Sequence, residues 1–482
     1  MKRFLVFSFL LLSFASYAQQ WDWAIQENVR KFAVDSTGNV FTQNDSTIKR
    51  FNSKGVFKWQ KQFSGDLLIS GMVADNSGNL YIAGGFTDFF IGAYHFTSLG
   101  NRDIFFCKID SLGTLLWKKI VGGTNDDNVS DLYLTKKQKI LICGDVGTGA
   151  VIGSSTFSET EFFTAKYDLN GNLELLIHHF GGNSWEVSAD TSGNIYLLGG
   201  INVNDTLDFG NSVILYGCYG SCMGTHFIAK INSTGNILWA KDLGSNYYEP
   251  FKNLGIDNNG NVYLAKWRRY NGFDLSKFDG AGNFIWNHNT NGIYGDCNSL
   301  CIDNNDSIWL TGEIWNSPFN GQPFIWEFVP SNNLTGTIPA TVSASGNNIA
   351  NDHQNNIYVS GGFQDTAVFG NTTLLATAGN YFLAKMKRNS STTMTSVSNV
   401  SENPDAMSVY PNPSTGKFSI QTSMPWQNTE ICIFDLSGRC IYHQQVTRPE
   451  DYQIDLSKHS KGVYFIEVAN AEKRMSKKIV IQ

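Results

Sequence analysis

The chain has 482 residues, a length that suggests about three domains, with 42% apolar, 13% aromatic and only 16% charged residues and a formal net charge of −6. That aromatic content and low charge density exclude disorder, the lack of a Gly-X-Y period excludes collagen, and an acidic balance with no Lys/Arg stripe argues against nucleic acid as a partner. Abundant Gly and aromatic residues favour β structure over helices.

The first residues read as an export signal. Lys2 and Arg3 precede the apolar run Phe4–Leu12, and Ser16-Tyr17-Ala18 places small residues three apart, so cleavage is expected after Ala18. The run is too short to span a bilayer, and no later stretch reaches the roughly 18 apolar residues of a membrane helix. Without Lys2 and Arg3 the chain keeps 34 basic and 42 acidic residues, a net charge of −8, and it leaves the cytoplasm for a compartment where disulfides form.

A short motif then recurs: Asp, two residues, Gly-Asn, an apolar residue, an aromatic, two residues, Gly. It is clearest at Asp75, Asp190 and Asp257, weaker at Asp35, Asp303 and Asp352, and degenerate at Thr135. A second motif follows each copy, as in Lys108-Ile-Asp110 with Gly113 and Trp117, Lys230 with Gly235 and Trp239, and Lys277 with Gly282 and Trp286. Arg50 leads to Gly55 and Trp59, Lys166 keeps Gly171 with Leu175 in the Trp slot, and Glu327 and Lys385 head the least regular copies. Each motif reads as a hairpin, because Asp-x-x-Gly-Asn is turn chemistry flanked by alternating apolar residues. Two hairpins make a four-stranded sheet. Seven units of about 53 residues make a seven-bladed β-propeller. The last unit lacks the Gly and Trp of its outer strand, and Trp21-Asp-Trp23-Ala24-Ile25 looks like the missing piece. Residues 21–26 are therefore expected to close the last blade and remove an exposed edge.

These residues resemble the bacterial beta-propeller repeat proteins, with Gly122-Gly123 and Gly181-Gly182 fitting the Gly-Gly that opens a unit. The resemblance covers roughly 21–389 and implies a fold, not an activity. The expected organisation is a signal peptide at 1–18, a propeller at 19–389, a Ser/Thr-rich linker at 390–407 and a small Ig-like β-sandwich at 408–482. The tail, with Tyr410-Pro411-Asn412-Pro413, a turn at Gly438, the Gly462-Val-Tyr464-Phe strand and Lys477-Lys478, closely resembles the type A C-terminal sorting domain of the type IX secretion system of Bacteroidetes. That resemblance makes the secretion machinery a partner. It implies passage across the outer membrane after Sec export, removal of the tail, and release or attachment at the cell surface.

Catalytic signatures are sparse. There is no phosphate loop, His-Glu-x-x-His or EF-hand pattern. Gly147–Gly153 has one residue too many for a dinucleotide fingerprint and is expected to be a loop. Gly220-Ser-Cys222-Met-Gly224 imitates a nucleophile elbow but lacks the strand-to-helix setting. His178 and His179 are adjacent on a strand-like run and face opposite sides. Cys107, Cys143 and Cys301 fall in slots held by small apolar residues in other repeats and read as buried thiols. Cys218 and Cys222 could form a loop disulfide, a zinc site joining them to Cys297 and Cys301 is weakly supported by spacing, and Cys432 and Cys440 flank a hairpin whose register decides their pairing. Asp126-Asp127, Glu186 and Glu249 follow strand-ending Gly residues. Calcium needs six or more converging oxygens, so a solvated loop face is the favoured reading and no cofactor is expected.

Antiparallel order places the connections between hairpins and between blades on one face, and these vary in length. Binding residues concentrate on such loops. The candidates are Asp126, Asp127, Trp185, Glu186, Tyr247, Tyr248 and Glu249 between blades, and Trp267, Arg268, Arg269, Tyr270 and Trp315 within blades. Aromatics beside charges suit a sugar ring or a protein. The expectation is a monomeric, secreted or surface-displayed binding protein for a glycan or a protein. The alternatives are a polysaccharide hydrolase or lyase with a channel site, for which the repeats show no compelling carboxylate pair, and a purely structural surface protein.

Overall fold

The computed structural model describes residues 20–220, 224–244, 251–268, 272–289, 294–315, 321–329, 333–337, 344–352, 354–376, 380–387, 408–421, 429–434, 440–446, 452–469 and 474–482. It divides into two compact units, Met1–Ser390 and Ser391–Gln482.

In the first unit, alternating apolar residues and Asx turns build antiparallel four-stranded blades. The first comprises Lys31–Val34, Val40–Gln43, Thr47–Phe51 and the start of the long strand Phe57–Ala74, whose remainder opens the second blade with Leu80–Ile91, Asp103–Ile109 and Leu115–Val121. The third comprises Asn128–Leu134, Ile140–Val146, Glu161–Tyr167 and Leu173–His179. The fourth comprises Gly182–Ala189, Ile195–Ile201, Thr225–Ile231 and Ile237–Gly244. The fifth comprises Phe251–Ile256, Val262–Arg268, Gly272–Phe278 and Phe284–Asn289. The sixth comprises Tyr294–Ile302, Ile308–Trp315, Gly321–Val329 and Asn333–Thr337. In the seventh, Ala344–Asn351, Ile357–Phe363 and Tyr381–Lys387 are completed by the strand Gln20–Gln26, with Ala24 opposite Ala384 and Ile25 opposite Leu383. The inner strands touch one another in order from the first blade to the seventh, and the seventh touches the first. The ring is closed, and the fold is a seven-bladed β-propeller.

The repeated residues clasp one blade to the next. In the first motif, Asp75 Oδ1 accepts the backbone N–H groups of Ser77 and Asn79, and Oδ2 accepts Asn79 Nδ2 at 2.8 Å and the Tyr81 hydroxyl at 2.9 Å. Lys108 of the second motif lies over the Tyr81 ring, 3.9 Å from Asp75 Oδ2, and its Nζ donates to Leu169 O in the next blade. The Tyr196 hydroxyl and Lys230 Nζ likewise reach Gly260 O and Gly280 O, and across the closure Tyr358 and Lys385 reach Gly38 O and Ser53 O. The motif Trp completes the clasp. The Trp59 indole donates to Ser111 O at 2.9 Å and its ring covers Gly113, where φ is +88° and a Cβ would come within 3.3 Å of the ring. Trp117 covers Gly171 and Trp239 covers Gly282 in the same way. The spacing of five from Lys to Gly thus shapes a turn, and the spacing of nine from Lys to Trp delivers the ring that packs on the next blade's turn. Even the degenerate copy keeps the geometry, because Thr135 Oγ1 accepts Lys139 N–H and Gln138 takes the positive φ.

The second unit pairs a three-stranded sheet (Ser408–Tyr410, Lys417–Gln421, Tyr452–Asp455) with a four-stranded one ordered Cys440–Val446, Thr429–Phe434, Gly462–Ala469, Arg474–Ile481. Val409, Phe418 and Ile420 from the first meet Ile431, Ile433, Ile466, Val468 and Ile479 from the second in one core, as in a β-sandwich.

Candidate functional site

The two edges of the propeller differ in construction. One carries the Asx turns described above. The other carries the connections from second to third strands and from blade to blade. Among the described residues, the connection from second to third strand grows a hairpin of its own in four blades: Asp88–Ile91 with Tyr94–Thr97, Val151–Ile152 with Ser155–Thr156, Thr206–Asp208 with Ile214–Tyr216, and Thr366–Phe369 with Thr372–Leu375. Each is anchored by buried apolar residues, among them Phe89, Ile152, Leu207 and Ala367. Each leaves apolar groups in solvent, and Tyr94, Tyr216 and Tyr219 are 49%, 59% and 74% exposed. The Phe90 and His95 rings stack at 4.1 Å on the first of these hairpins, with His95 Nε2 2.6 Å from Asp88 Oδ1. A cleft of about 550 Å³ opens between the second and third blades, lined by Ile120, Val121 and Thr124 on one side and Val151, Tyr167 and Leu173 on the other. No recurring motif marks the aromatics of these tips. Their only trace is the extra length between the two halves of a repeat.

The residues singled out from sequence divide. Asp126 is exposed, and its Oδ1 accepts the Arg102 N–H at 3.2 Å. Asp127 is buried and both its oxygens are used, Oδ2 on Gly123 N and Oδ1 on Gly147 N at 2.9 and 2.7 Å. Burial pushes its carboxyl up to about 6, against the pull of those two N–H groups. It braces two connections rather than belonging to a solvated loop face. Trp185 and Glu186 lie within the inner strand Gly182–Ala189, at a bulge between Ser184 and Glu186, and not in a loop. The Trp185 ring packs edge-on to His226 at 5.0 Å and fills room left by Gly200. Trp267 and Arg268 end the strand Val262–Arg268, with Arg268 paired to Asp274 at 3.4 Å, and Trp315 ends Ile308–Trp315. Tyr247, Tyr248, Glu249, Arg269, Tyr270, Gly438, Ala18 and Cys222 lie outside the described residues. Cys218 is disulfide-bonded, which removes it from any zinc set with Cys297 and Cys301. His178 and His179 do diverge, to Glu161 and to Asp208 O.

The structure also brings together carboxylates that the repeats do not advertise. The inner strands bulge at matching places, and in the third to seventh blades the residue after the bulge reaches the next blade. Asp131 Oδ2 accepts Val187 N–H, Glu186 Oε2 accepts Leu254 N–H at 2.6 Å, Asn253 donates to Cys297 O, Ser299 accepts Ile349 N–H, and Asn348 donates to Arg30 O. This polar belt runs along the inner strands from the third blade round to the first. Within it burial is the main force raising the carboxyls of Asp131 and Glu186, the charge of Asp131 raises Glu186 further, and Lys31 opposes both. Asp145, held by the Ser184 N–H, is raised by burial to about 7. The pair went unread because a bulge shifts which side chain faces inward, and bulge positions are not visible in alternation alone.

In the sandwich, Asn412 Oδ1 accepts Val480 N–H and the Tyr464 hydroxyl donates to Ser460 O. Tyr410 is largely exposed, Pro411 and Pro413 follow cis bonds, and Gly462 opens the strand paired with Arg474–Ile481, which carries Lys477 and Lys478.

Residues 408–482 match the family described as the secretion system C-terminal sorting domain. None of the curated proteins matches the chain. Among solved structures, the chain is similar to a streptogramin B lyase (11% identity, TM-score 0.44, covering 76% of this chain and 97% of that one). It is also similar to the Pan2 WD40 domain of Neurospora crassa (8%, TM-score 0.44, 78% and 97%). A third similarity is to PorZ, a surface component of the type IX secretion system of Porphyromonas gingivalis (12%, TM-score 0.26, 94% and 70%). Likenesses this distant carry no argument about activity. Among the described residues, no helix is long and apolar enough to cross a membrane.

Proposed function

We propose that this propeller, sorted through its C-terminal domain by the type IX secretion system to the cell surface or the medium, binds a glycan on its loop edge. The observation that carries the reading is the asymmetry of the two edges. The turn edge spends its polar side chains on clasping blades, while the loop edge adds hairpins whose buried feet hold Tyr94 and Tyr216 in solvent. Rigidly mounted aromatics beside Asp and Asn side chains are suited to stacking on sugar rings while hydrogen-bonding their hydroxyls. The cleft beside the Gly122-Gly123 connection has the size of a small-ligand site. The test is a glycan array probed with the full chain, then with Tyr94→Ala, Tyr216→Ala and Asp126→Asn. Binding that falls tenfold or more in these variants, with unchanged unfolding curves, supports the reading. No glycan bound, or equal binding by all variants, overturns it, and capture of a cell-surface protein without a glycan signal transfers the edge to a protein ligand.

One observation favours a second reading, a polysaccharide hydrolase or lyase: the Asp131 and Glu186 carboxyls, raised by burial, stand on neighbouring inner strands. Raised carboxyls serve as general acids. Both also hold the next blade's backbone, which is a structural use. Polysaccharide turnover abolished by Glu186→Gln in a normally folded protein would establish this reading.

A further inference from the structure

The sorting domain carries a cluster that export does not explain. On the strand Thr429–Phe434, Ile431 and Ile433 are buried in the core, so alternation turns Glu430 and Cys432 to the outer face of the sheet. The neighbouring strand places His443 directly opposite Cys432, and the strand on the other side places Glu467 opposite the same residue. The donor atoms of Glu430, Cys432 and His443 lie within 4.8 Å of one another, and the His443 ring hydrogen-bonds Glu430. The register also separates Cys432 from Cys440, which faces Phe434.

We propose that Glu430, Cys432 and His443 form a binding site for a zinc-class divalent ion, with Glu467 or water as the fourth ligand. The donor set makes the choice. One thiolate, one imidazole and one carboxylate suit a borderline-soft ion that accepts tetrahedral geometry, whereas calcium and magnesium demand oxygen throughout. Bonds of roughly 2.0–2.3 Å require ligand atoms roughly 3.3–3.8 Å apart. Same-face neighbours across a β-ladder already hold their Cβ atoms about 5 Å apart, so rotamer changes close the remaining distance. Binding displaces the thiol proton and replaces the His443–Glu430 hydrogen bond with two metal bonds, so affinity rises with pH. The ion would tie the strand Thr429–Phe434 to its neighbour, and it would be held only while the tail remains on the protein.

The test uses the full, uncleaved chain. Equilibrium dialysis against Zn²⁺ should find one tight site per chain, weakened more than roughly tenfold in Cys432→Ser and in His443→Gln. Because all three side chains face outward, these variants are expected to fold. Co²⁺ supplies a second readout, since a thiolate ligand gives a charge-transfer absorption that Cys432→Ser must abolish and His443→Gln must shift or weaken. Absence of a tight site in the unaltered chain, equal Zn²⁺ affinity in the variants, or a Co²⁺ spectrum without the thiolate band would each overturn the proposal.

Discussion

The two edges of the propeller are made from the same strands yet obey different rules. At the turn edge each residue of the motif has a partner on its own or the next blade: Asp75 on Asn79 and Tyr81, Lys108 on Leu169 O, Trp59 on Gly113. At the loop edge the backbone is held by a few buried anchors and the rest is free to differ, as the unlike hairpins at Gly92, Gly153 and Gly210 show. Repetition in the sequence therefore records the places where blades hold each other. Departure from repetition records where the backbone is free to differ from blade to blade.

The largest test of that contrast lies at the closure. Removing residues 20–26 strips the seventh blade of its outer strand and exposes the Tyr381–Lys387 edge. Chemical unfolding should show a loss of about 5 kcal/mol or more, or a broken two-state transition, and an unchanged curve would show that the ring is held elsewhere. A turn-edge hub comes next. Asp75→Ala leaves two backbone N–H groups and an amide without their acceptor and the buried Tyr81 hydroxyl with Leu169 O alone, at a cost of about 3 kcal/mol. Asp75→Asn, which keeps an acceptor oxygen, should lose less.

The belt between the edges should show itself through pH. Burial raises Asp145 to about 7 in the folded protein, above the value near 4 of an unfolded chain. The stability it contributes is therefore full below about pH 4 and is lost as pH rises through about 7. Asp145→Asn removes that titration while keeping an acceptor for Ser184 N–H, so the variant should gain on the unaltered protein steadily between pH 4 and 8. Unfolding curves that stay parallel across this range would contradict the assignment. The smallest effect is expected at the loop edge, where Tyr94→Ser should change stability by less than about 0.5 kcal/mol while weakening the ligand interaction. A large loss of stability would make Tyr94 part of the scaffold.

Much of this architecture could be read from residues. Asp-x-x-Gly-Asn announced the turns, the paired gaps from Lys108 to Gly113 and to Trp117 announced the second hairpin, and the lone strand at Trp21 announced the closure. The site was less legible. Trp185 and Glu186 look like loop residues because they follow Gly181-Gly182, but a bulge carries them into the inner strand. Asp127 looks like an exposed acid and is instead consumed by two backbone N–H groups from different connections. Tyr216 gave no sign, because the hairpins inserted between the two motifs share no residue pattern from one blade to the next.

Composition and spacing determined that the chain is all-β, that its units are hairpin pairs, and that a small sandwich follows a propeller, since these depend on turn chemistry and alternation within a few residues; the sandwich's sorting role came from its resemblance to a known family. Only the tertiary structure decided which carboxylates face each other and what the repeated Trp and Lys hold. Those outcomes depend on bulges and on contacts between blades some fifty residues apart, where a shift of one position turns a side chain from one side of the sheet to the other.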